Sequence, residues 1–412
     1  MDIIKDLKAR GILKDVSNIE KFKSLEKNSA IYIGFDPTAT SLHLGNYIQI
    51  AILKRFESYG FKPYAILGGA TGMIGDPSFK NAERKLLDEK AINLNKQKIK
   101  KQLEFFGLEV IDNYDWYKDM SIIDFLRNIG KLVNISYLLA KDSIKSRIEK
   151  GLSFTEFSYS LLQGYDFLHL FRTKNIKIQF GGSDQWGNLT TGLEMISKNV
   201  NKDHDAIIMT GNLLTDQNGN KIGKSQGGGG LWIDKEMNPP FNLYQYFINL
   251  DDAIVEKFYK WFSFKPLDEI DQIISEWKKA SFKKTAQKML AFEVVENIYS
   301  KNDAQKAVEI TTALFENQEK LLDLSAKDIA QLTNSLPTYS SCQTSIKEVL
   351  LQNKIVSSNR ELNEFINSNS ISINSQKITD SSNIINFYYD NKFALVKIGK
   401  RKYYIIKNEI SY

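Results

Sequence analysis

The first half of the chain alternates short apolar runs with helical patterns. The apolar runs end at glycines or polar turns and lie at residues 31–35, 64–69, 177–180 and 206–209. Helical patterns lie at residues 45–58, at about 83–106 and from Asp184 onward. Strands that alternate with helices are typical of a parallel sheet covered on both faces. The pattern therefore predicts an α/β, doubly wound (Rossmann-like) domain over residues 1–230, with a ligand crevice beyond the carboxyl ends of its strands.

Beyond Pro239 and Pro240 the strand pattern gives way to helical periodicity, which continues to about residue 324. This predicts an α-helical domain at residues 231–330. Residues 335–345 are rich in Ser, Thr and Pro, which indicates a linker at about 331–344. The last segment, 345–412, combines two helical patterns with a strand part rich in lysine and aromatic residues, and it predicts a small α+β domain.

Composition narrows the class of protein. Hydrophobic residues make up 42% and charged residues 25% of the 412 residues, as in folded globular proteins. No apolar run approaches the roughly 20 residues of a membrane span, and the N-terminus lacks the core of a signal peptide. The single Cys342 excludes a disulfide framework and fits a reducing compartment. We therefore expect a cytoplasmic protein that does not bind a membrane.

The net charge of +6 concentrates near the C-terminus. Residues 341–412 contain ten Lys and Arg against six Asp and Glu. Such an excess favours a polyanionic partner for this segment. A solvated surface in a lysine-rich protein explains the charge equally well.

The segment 35–46 joins the first predicted strand to the first predicted helix. The N–H groups and the dipole of a helix N-terminus favour a phosphate. Thr38 and His43 can donate hydrogen bonds to it, and Gly45 lets a flat ring approach the backbone. On this segment alone, a capped helix with a structural histidine is the favoured interpretation.

The segment 221–230 contains Lys221 and Lys224, followed by the four glycines 227–230. A glycine-rich cationic loop suits a polyphosphate whose charge grows in a transition state. It is not a Walker loop, because the glycines follow the lysines. Taken alone, it could equally be a lysine–glycine turn.

Together these two segments resemble the His-Ile-Gly-His and Lys-Met-Ser-Lys-Ser signatures of class I aminoacyl-tRNA synthetases, in their order and separation. The resemblance implies activation of an amino acid with ATP and its transfer to transfer RNA. Further motifs are similar to those of the bacterial tyrosyl-tRNA synthetase family along nearly the whole chain. They lie at residues 32–38, 75–78, 154–159, 163–168 and 181–188.

Tyr159, Gln163 and Asp166 recur at i, i+4 and i+7, so they share one face of a predicted helix. A phenol, an amide and a carboxylate are unusual for a core stripe and favour a pocket. The resemblance implies that Asp166 and Tyr32 contact the phenol hydroxyl of L-tyrosine, and that Tyr159, Gln163 and Asp76 surround its ammonium group. Phenylalanine would then leave buried polar groups unpaired.

The same resemblance implies an ATP site between the two signatures. Asp184 would contact the ribose and Gln185 the reacting carboxyl group. The implied ATP-binding residues line one cleft: Gly34, Asp36, His43, Gly45, Gly182, Asp184, Lys221 and Lys224. The implied catalytic residues bring donors or positive charge to the phosphates: Thr38, His43, Asn46, Lys80, Arg84, Lys221 and Lys224. Mg²⁺ is expected with the nucleotide, without a protein metal site or a tightly bound prosthetic group.

Three positions depart from the family pattern. Asn46 stands where the first signature has its second histidine, and its amide can still donate one hydrogen bond. Ile222 and the glycine after it replace Met-Ser in the second signature. Ser136 stands where the family has an asparagine, and Asn134 is a candidate substitute.

The C-terminal segment resembles the alpha-L RNA-binding module. Its two helices would lie at residues 346–351 and 358–368, and a short strand and turn at 371–374. The implied RNA-binding residues are basic and lie beside two tyrosines, Tyr403 and Tyr404, that could stack on bases: Lys397, Lys400, Arg401 and Lys402. The resemblance further implies tRNA(Tyr) as partner and a homodimer with residues 119–139 in its contact.

Three other functions share part of this pattern. The tryptophanyl relative has the same fold and signatures, but the pair of Tyr32 and Asp166 favours tyrosine. An RNA-binding protein on an inactive synthetase scaffold would not need His43 or both lysines. A general nucleotidylyltransferase would share the segment 35–46 but would not need the helical domain and the RNA module.

Overall fold

The computed structural model describes residues 2–76, 88–141, 144–145, 148, 151–217, 219–220, 222, 231–342, 345–399 and 402–409. Its chain divides into two compact units. One comprises Met1–Ile233 and Asp252–Ile274, and the other Asp234–Asp251 and Ser275–Tyr412.

The first unit is built on a six-stranded sheet with the strand order β1-β6-β5-β2-β3-β4. All neighbouring pairs are parallel except β1 with β6, which is antiparallel. The predicted doubly wound parallel sheet is confirmed, and β1 adds an edge strand that the pattern of apolar runs did not predict. The strands are β1 (Leu13–Val16), β2 (Ala30–Phe35), β3 (Lys62–Leu67), β4 (Glu109–Asp112), β5 (Ile176–Gly182) and β6 (Ile207–Gly211).

Strand β2 lies in the middle of this sheet and is apolar along most of its length. Ile31, Ile33 and Phe35 are almost fully buried, as is Tyr32 between them. A central parallel strand is covered on both faces, so it needs apolar residues at odd and even positions alike. Tyr32 is in register with Tyr64 on β3 and with Gln179 on β5, which brings these three strands to a common carboxyl edge.

Helices connect and cover the strands. The helices before residue 200 are α1 (Ile3–Ala9), α2 (Ile19–Lys23), α3 (Leu44–Ser58), α4 (Thr71–Ile74), α5 (Glu89–Phe105), α6 (Ile122–Asp124), α7 (Ile135–Leu139), α8 (Phe154–Lys174) and α9 (Trp186–Asn199). The helix predicted from Asp184 begins at Trp186, because Ser183–Gln185 form a 3-10 turn at the end of β5. Residues 83–87 of the predicted 83–106 helix lie outside the described residues.

The remaining helices follow residue 239, as the helical periodicity predicts. They are α10 (Pro240–Ile248), α11 (Asp252–Phe262), α12 (Leu267–Lys278), α13 (Thr285–Ile298), α14 (Lys301–Phe315), α15 (Ala326–Leu332), α16 (Ile346–Gln352) and α17 (Asn359–Asn367). Helix α11 lies within the predicted helical domain but packs in the first unit. The reason is two buried arginines, since Arg10 donates to the Lys260 carbonyl and Arg55 to the Trp261 carbonyl, both at 3.0 Å. These donors satisfy carbonyls at the end of α11.

The second unit contains a five-stranded sheet with the order β7-β11-β10-β8-β9. Its strands are β7 (Thr338–Ser341), β8 (Ile371–Ile373), β9 (Gln376–Lys377), β10 (Phe393–Ile398) and β11 (Lys402–Asn408). Strand β7 lies inside residues 331–344, the predicted linker. The segment is a strand because its backbone pairs in parallel with β11, from Thr338 opposite Ile405 to Ser341 opposite Asn408. No helix among the described residues is long and apolar enough to cross a membrane.

Candidate active site

A cavity of about 370 Å³ opens at the carboxyl edge of the first unit's sheet. It brings together every sequence-predicted substrate and nucleotide residue that the structure describes. These are Tyr32, Gly34, Asp36, Thr38, His43, Gly45, Asn46, Asp76, Tyr159, Gln163, Asp166, Gly182, Asp184 and Gln185. The predicted Lys80, Arg84, Lys221 and Lys224 lie outside the described residues.

One end of the cavity, the Asp166 end, is organised around a buried carboxylate. Asp166 on α8 is 4% exposed and accepts three hydrogen bonds. Asn113 Nδ2 donates to Oδ2 at 3.0 Å, while Trp116 Nε1 and the Tyr117 hydroxyl donate to Oδ1 at 3.0 and 2.9 Å. Tyr32 lies beside this cluster, and its buried hydroxyl has no hydrogen-bond partner within the described chain. The cluster therefore holds an acceptor and an unused hydroxyl.

Burial sets the electrostatics of the Asp166 end. It raises the pKa of Asp166 to about 7, and the three donors oppose part of that rise because they favour the ionised form. Burial and the charge of Asp166 raise the pKa of Tyr32 and of Tyr117 well above the ordinary value for a phenol. Both tyrosines are therefore neutral hydroxyl groups, able to donate hydrogen bonds, across the physiological range.

The sequence analysis missed the three donors to Asp166. They lie on the 3-10 turn Asn113–Trp116 and directly after it, where the chain leaves β4. Their position directly after β4 could have indicated a role in the site, because polar residues that follow a parallel strand lie at the edge of the sheet where ligands bind. Gln179 was missed as well. An amide inside the buried strand β5 is unusual, and its Oε1 is a buried acceptor without a partner among the described residues.

Asp36 lies midway along the cavity, where β2 ends. Its Oδ2 accepts from the Tyr159 hydroxyl at 3.0 Å and its Oδ1 from Thr71 Oγ1 at 2.7 Å. Thr71 in turn accepts from Asn113 Nδ2 at 3.2 Å, so Asp36 belongs to the same network as Asp166. Gly68 makes room for it, because a Cβ at this position would lie 2.0 Å from Asp36 Oδ1.

A third carboxylate, Asp76, is held by the start of α9. Gln185 Nε2 donates to its Oδ2 at 2.9 Å and Asn188 Nδ2 to its Oδ1 at 3.4 Å. Asn188 is itself fixed by Ser160 Oγ at 2.8 Å, which ties α9 to α8. Gln163 lines the same part of the cavity, and its buried Oε1 lacks a partner within the described residues. A carboxylate and a free amide oxygen form a site suited to a cation.

The other end of the cavity, the His43 end, is the N-terminus of α3. His43 Nδ1 accepts from the Asn46 backbone N–H at 3.2 Å, and Asn46 Oδ1 accepts from the His43 N–H at 3.1 Å. Asn46 therefore completes a capping box. Because Nδ1 accepts, the neutral ring carries its proton on Nε2, as a donor. A Cβ at Gly45 would lie 2.7 Å from the Ile222 carbonyl oxygen, so this approach requires glycine.

The segment with the two predicted lysines is attached beside this helix N-terminus at two places. Between the two lysines, the Ile222 N–H donates to Leu214 O at 3.1 Å. After the segment, Leu44 N–H donates to Leu231 O at 2.8 Å and Ile233 N–H to Leu42 O at 3.0 Å. The chain thus leaves and re-enters the described structure next to His43.

Ser136, which departs from the family pattern, and its candidate substitute Asn134 lie at the start of α7 and do not reach the cavity. Asn134 and Ser136 are both exposed, and neither lines it. Among the described residues there is also no group of three or more His, Cys, Asp or Glu side chains that could hold a metal ion.

The predicted RNA-binding residues are described only in part. Lys397 on β10 and Lys402 on β11 are described, whereas Lys400 and Arg401 are not. The suggestion that Tyr403 stacks on bases is wrong. Its ring is 3% exposed, its hydroxyl donates to the Leu314 carbonyl, and Lys397 Nζ lies 5.5 Å from its ring centre. Tyr403 faces the core because alternate residues of β11 point to opposite faces.

Comparison with known proteins identifies a family for each part of the chain. Residues 23–316 match the family described as tRNA synthetases class I (W and Y). Residues 328–406 match the tyrosine–tRNA ligase SYY-like C-terminal domain. The tyrosine–tRNA ligase of Mycoplasmopsis agalactiae is 52% identical over 409 residues, which cover 99% of this chain and 100% of the relative. That of Mycoplasmopsis synoviae is 49% identical, over 98% of this chain and 99% of the relative.

Solved structures agree on the fold. A C-terminally truncated mitochondrial tyrosyl-tRNA synthetase from Aspergillus nidulans superposes with a TM-score of 0.68 at 30% identity, covering 76% of this chain and 94% of that one. Tyrosyl-tRNA synthetase from Archaeoglobus fulgidus, complexed with L-tyrosine, has a TM-score of 0.55 at 14% identity and covers 75% of this chain and 100% of that one. The second similarity concerns the fold alone.

Proposed function

Because this chain belongs to the class I tRNA synthetases of the tryptophan and tyrosine family, we propose that its cavity binds L-tyrosine and ATP and forms tyrosyl-adenylate. The protein is a tyrosine–tRNA ligase, an enzyme that uses ATP to join tyrosine to transfer RNA. The assignment of individual residues below rests on the geometry of the cavity.

The polar groups at the Asp166 end of the cavity support tyrosine as the amino acid. Asp166 offers an acceptor, and Tyr32 offers a buried hydroxyl that has no partner in the described chain. A phenol hydroxyl donates to the first and accepts from the second. The indole N–H of tryptophan can only donate, and the ring of phenylalanine can do neither. Either competitor leaves a buried polar group unpaired, which costs about 1–3 kcal/mol for each group.

The ammonium group of tyrosine is assigned to the Asp76 part of the cavity. The negative charge of Asp76, the Gln163 amide oxygen and the Tyr159 hydroxyl line this part together. Gln185, which now donates to Asp76, is close enough to the same place to donate to the substrate carboxylate. Tyrosine would thus lie along the network from Asp166 to Asp76, with its carboxylate towards the nucleotide.

Adenylate formation needs the substrate carboxylate to attack the α-phosphorus of ATP while the bond to pyrophosphate breaks. Asp184 beside Gly182 suits the ribose, and Gly34 and Asp36 line the same cleft. Thr38, Asn46 and the Nε2–H of His43 supply hydrogen-bond donors for the leaving phosphates, with the backbone N–H groups at the start of α3. The positive charges of Lys80, Arg84, Lys221 and Lys224 would offset the charge that develops on pyrophosphate.

In the second step, a ribose hydroxyl at the 3' end of tRNA(Tyr) attacks the carbonyl carbon of tyrosyl-adenylate, and AMP leaves. Tyrosine passes directly from the adenylate to the transfer RNA, so no covalent link to the enzyme is required. Mg²⁺ would enter as the complex with ATP. The phosphates would be its main ligands.

The remaining parts of the chain are assigned to transfer RNA. We propose residues 1–230 as the catalytic domain, 231–330 as the domain for the anticodon arm, 331–344 as the connection between domains and 345–412 as an RNA-binding domain. Within the last, Lys397, Lys400, Arg401 and Lys402 would contact phosphates. The exposed thiol of Cys342 supports a reducing compartment, the cytoplasm.

An exposed apolar surface supports a homodimer. It lies within residues 119–139, the region proposed for the contact, and consists of Ile122, Ile123, Leu126, Ile135 and Leu139. Five large exposed apolar side chains in such a short segment are typical of an interface. Ile123→Asp should convert a dimer to a monomer in sedimentation velocity, and an unchanged sedimentation coefficient would contradict the proposal.

Amino-acid-dependent exchange of labelled pyrophosphate into ATP tests the catalytic assignment. Exchange is expected with tyrosine and not with tryptophan or phenylalanine. Absence of exchange with all three would overturn the proposal, and exchange with tryptophan alone would transfer it to the tryptophanyl relative. Aminoacylation of a tRNA(Tyr) transcript then tests the second step.

A further inference from the structure

Lys141 is a partly buried lysine at the end of the α7 segment. Its Nζ donates to the Gly187 carbonyl at 2.5 Å and to the hydroxyl of Thr191, both on α9. Tyr137 lies one helical turn earlier, with its ring centre 4.7 Å from Lys141 Nζ, and its hydroxyl is hydrogen-bonded to Thr190. The two side chains at i and i+4 therefore hold the same part of α9.

A lysine amine is rarely removed from water without a carboxylate partner. Lys141 has no ion pair within the described residues, and Glu194, whose charge acts on it, is paired with Lys198 at 2.9 Å. Burial lowers the pKa of Lys141 to about 7. The amine loses hydration and part of its charge, and it makes two hydrogen bonds to α9. Its burial therefore has a desolvation cost that an exposed lysine does not have.

The contacted part of α9 carries the Asp76 site. Gly187 lies between Gln185 and Asn188, the two residues whose amides donate to the Asp76 carboxylate. Asn188 is fixed on its other side by Ser160. The backbone of this turn therefore fixes the positions of the Gln185 and Asn188 amides, and these two amides fix the position of the Asp76 carboxylate.

We propose that Lys141 is a positioning residue for tyrosine: by holding the Gly187 carbonyl it fixes the first turn of α9, and with it the carboxylate that receives the substrate ammonium. The inference rests on the proposed function, because Asp76 receives the ammonium only in that assignment. Lys141 touches neither substrate, so its effect is transmitted through Gln185 and Asn188.

Lys141→Met tests this, because methionine fills similar volume without a donor. In tyrosine-dependent pyrophosphate exchange, we expect the KM for tyrosine to rise about tenfold, since a small displacement of a binding group is expensive. The KM for ATP should stay within about twofold of the unsubstituted protein, because most of the proposed ATP contacts lie at the His43 end. The kcat should fall as well, because Gln185 is also assigned to the reacting carboxylate. A thermal melt of each variant confirms that it is folded.

Lys198→Met is the matched control, the same substitution at an ion pair on the surface of α9 itself. It should leave all three constants unchanged. A rise in the tyrosine KM as large as that of Lys141→Met would overturn the proposal. So would an unchanged tyrosine KM in Lys141→Met, or an equal change in the constants for both substrates.

Chemical rescue separates the amine from general packing. Lys141→Cys is made together with Cys342→Ser, which removes the other cysteine of the chain. The thiolate then displaces bromide from 2-bromoethylamine and forms a thioether that ends in an amine, nearly the length of lysine. Recovery of the tyrosine KM supports the proposal, and a KM that stays raised after complete alkylation contradicts it. Lack of exchange in the unsubstituted protein would instead reject the proposed function.

Discussion

The two ends of the cavity are built in different ways. At the Asp166 end, one carboxylate is fixed by donors that lie 53, 50 and 49 residues away in sequence. At the His43 end, the two side chains that cap α3 lie three residues apart. The first end depends on the tertiary fold, and the second is complete within a single helical turn.

The difference matches the charges that each end has to meet. A phenol hydroxyl is neutral and small, so it is recognised by a buried acceptor and donor whose positions are fixed in advance. A triphosphate carries several charges that grow during the reaction, and in the proposed function it would be met by backbone N–H groups, a histidine donor and lysines from a glycine-rich segment. On that proposal, selectivity for tyrosine belongs to the Asp166 end and acceleration of the reaction to the His43 end.

The largest expected effect comes from removing the carboxylate at the Asp166 end. Asp166→Ala takes the acceptor from the substrate and leaves three buried donors unpaired. We expect kcat/KM for tyrosine in pyrophosphate exchange to fall by about 10³-fold or more, with the KM for ATP nearly unchanged. Asp115 is an exposed carboxylate on the 3-10 turn Asn113–Trp116, beside the donors to Asp166, and Asp115→Ala should have no effect. An equal loss for both substrates would remove the proposed division between the two ends.

The pH dependence of stability probes the same carboxylate without substrate. The folded pKa of Asp166 is raised to about 7 from 3.8, so the folded protein keeps a proton that the unfolded chain has lost. Its contribution to the free energy of unfolding is therefore fully present below pH 4 and is lost as pH rises through 7. Urea unfolding measures the free energy of unfolding of the protein and of Asp166→Asn. The value for the protein minus the value for the variant should be about 2–4 kcal/mol lower at pH 8 than at pH 4. A constant difference would contradict the raised pKa.

At the His43 end, one pair of substitutions separates capping from catalysis. His43→Asn keeps a good N-cap but loses the Nε2 donor, so kcat should fall by about 10- to 100-fold at unchanged stability. His43→Ala should show the same loss of kcat and a further loss of about 1 kcal/mol of stability. Pyrophosphate exchange and urea unfolding measure the two effects. Full activity in His43→Asn would leave the histidine with a structural role only.

The smallest expected effect comes from removing one of the donors to Asp166. Tyr117→Phe removes one of three donors to Asp166, a hydroxyl whose single proton is shared between Asp166 Oδ1 at 2.9 Å and the Leu162 carbonyl at 2.8 Å. The KM for tyrosine should rise about fivefold, the effect of one neutral hydrogen bond. Tyr114→Phe, on the same turn, should leave it unchanged. A greater effect at Tyr114 would show that packing of the turn, rather than the contact with Asp166, matters.

The same contrast explains how much the sequence could predict. The capping segment around His43 is local, and the spacing of Tyr159, Gln163 and Asp166 follows the helical repeat, so both could be found in the chain itself. The parallel sheet followed from its apolar runs. Asn113, Trp116 and Tyr117 could not be found in this way, because their partner lies on α8 and only the tertiary fold brings the turn after β4 beside it.

Other differences between the sequence pattern and the structure have the same origin. Strand β7 was expected to be part of a linker because Ser, Thr and Pro are common in loops, but pairing with β11 decides its conformation. Helix α11 was assigned with its sequence neighbours, whereas Arg10 and Arg55 hold its end in the first unit. Tyr403 was expected at the surface, although the alternation of β11 buries it.

The attachment of the chain at Ile222 and at Leu231, both beside α3, has a consequence for the local concentration of positive charge. Lys224 follows Ile222 by two residues, so covalent geometry keeps its Cα within about 7–8 Å of that attachment point. In the proposed complex its charge would therefore be tethered to the phosphates, at an effective concentration of roughly millimolar or more. Loosening either attachment would dilute the charge rather than remove it.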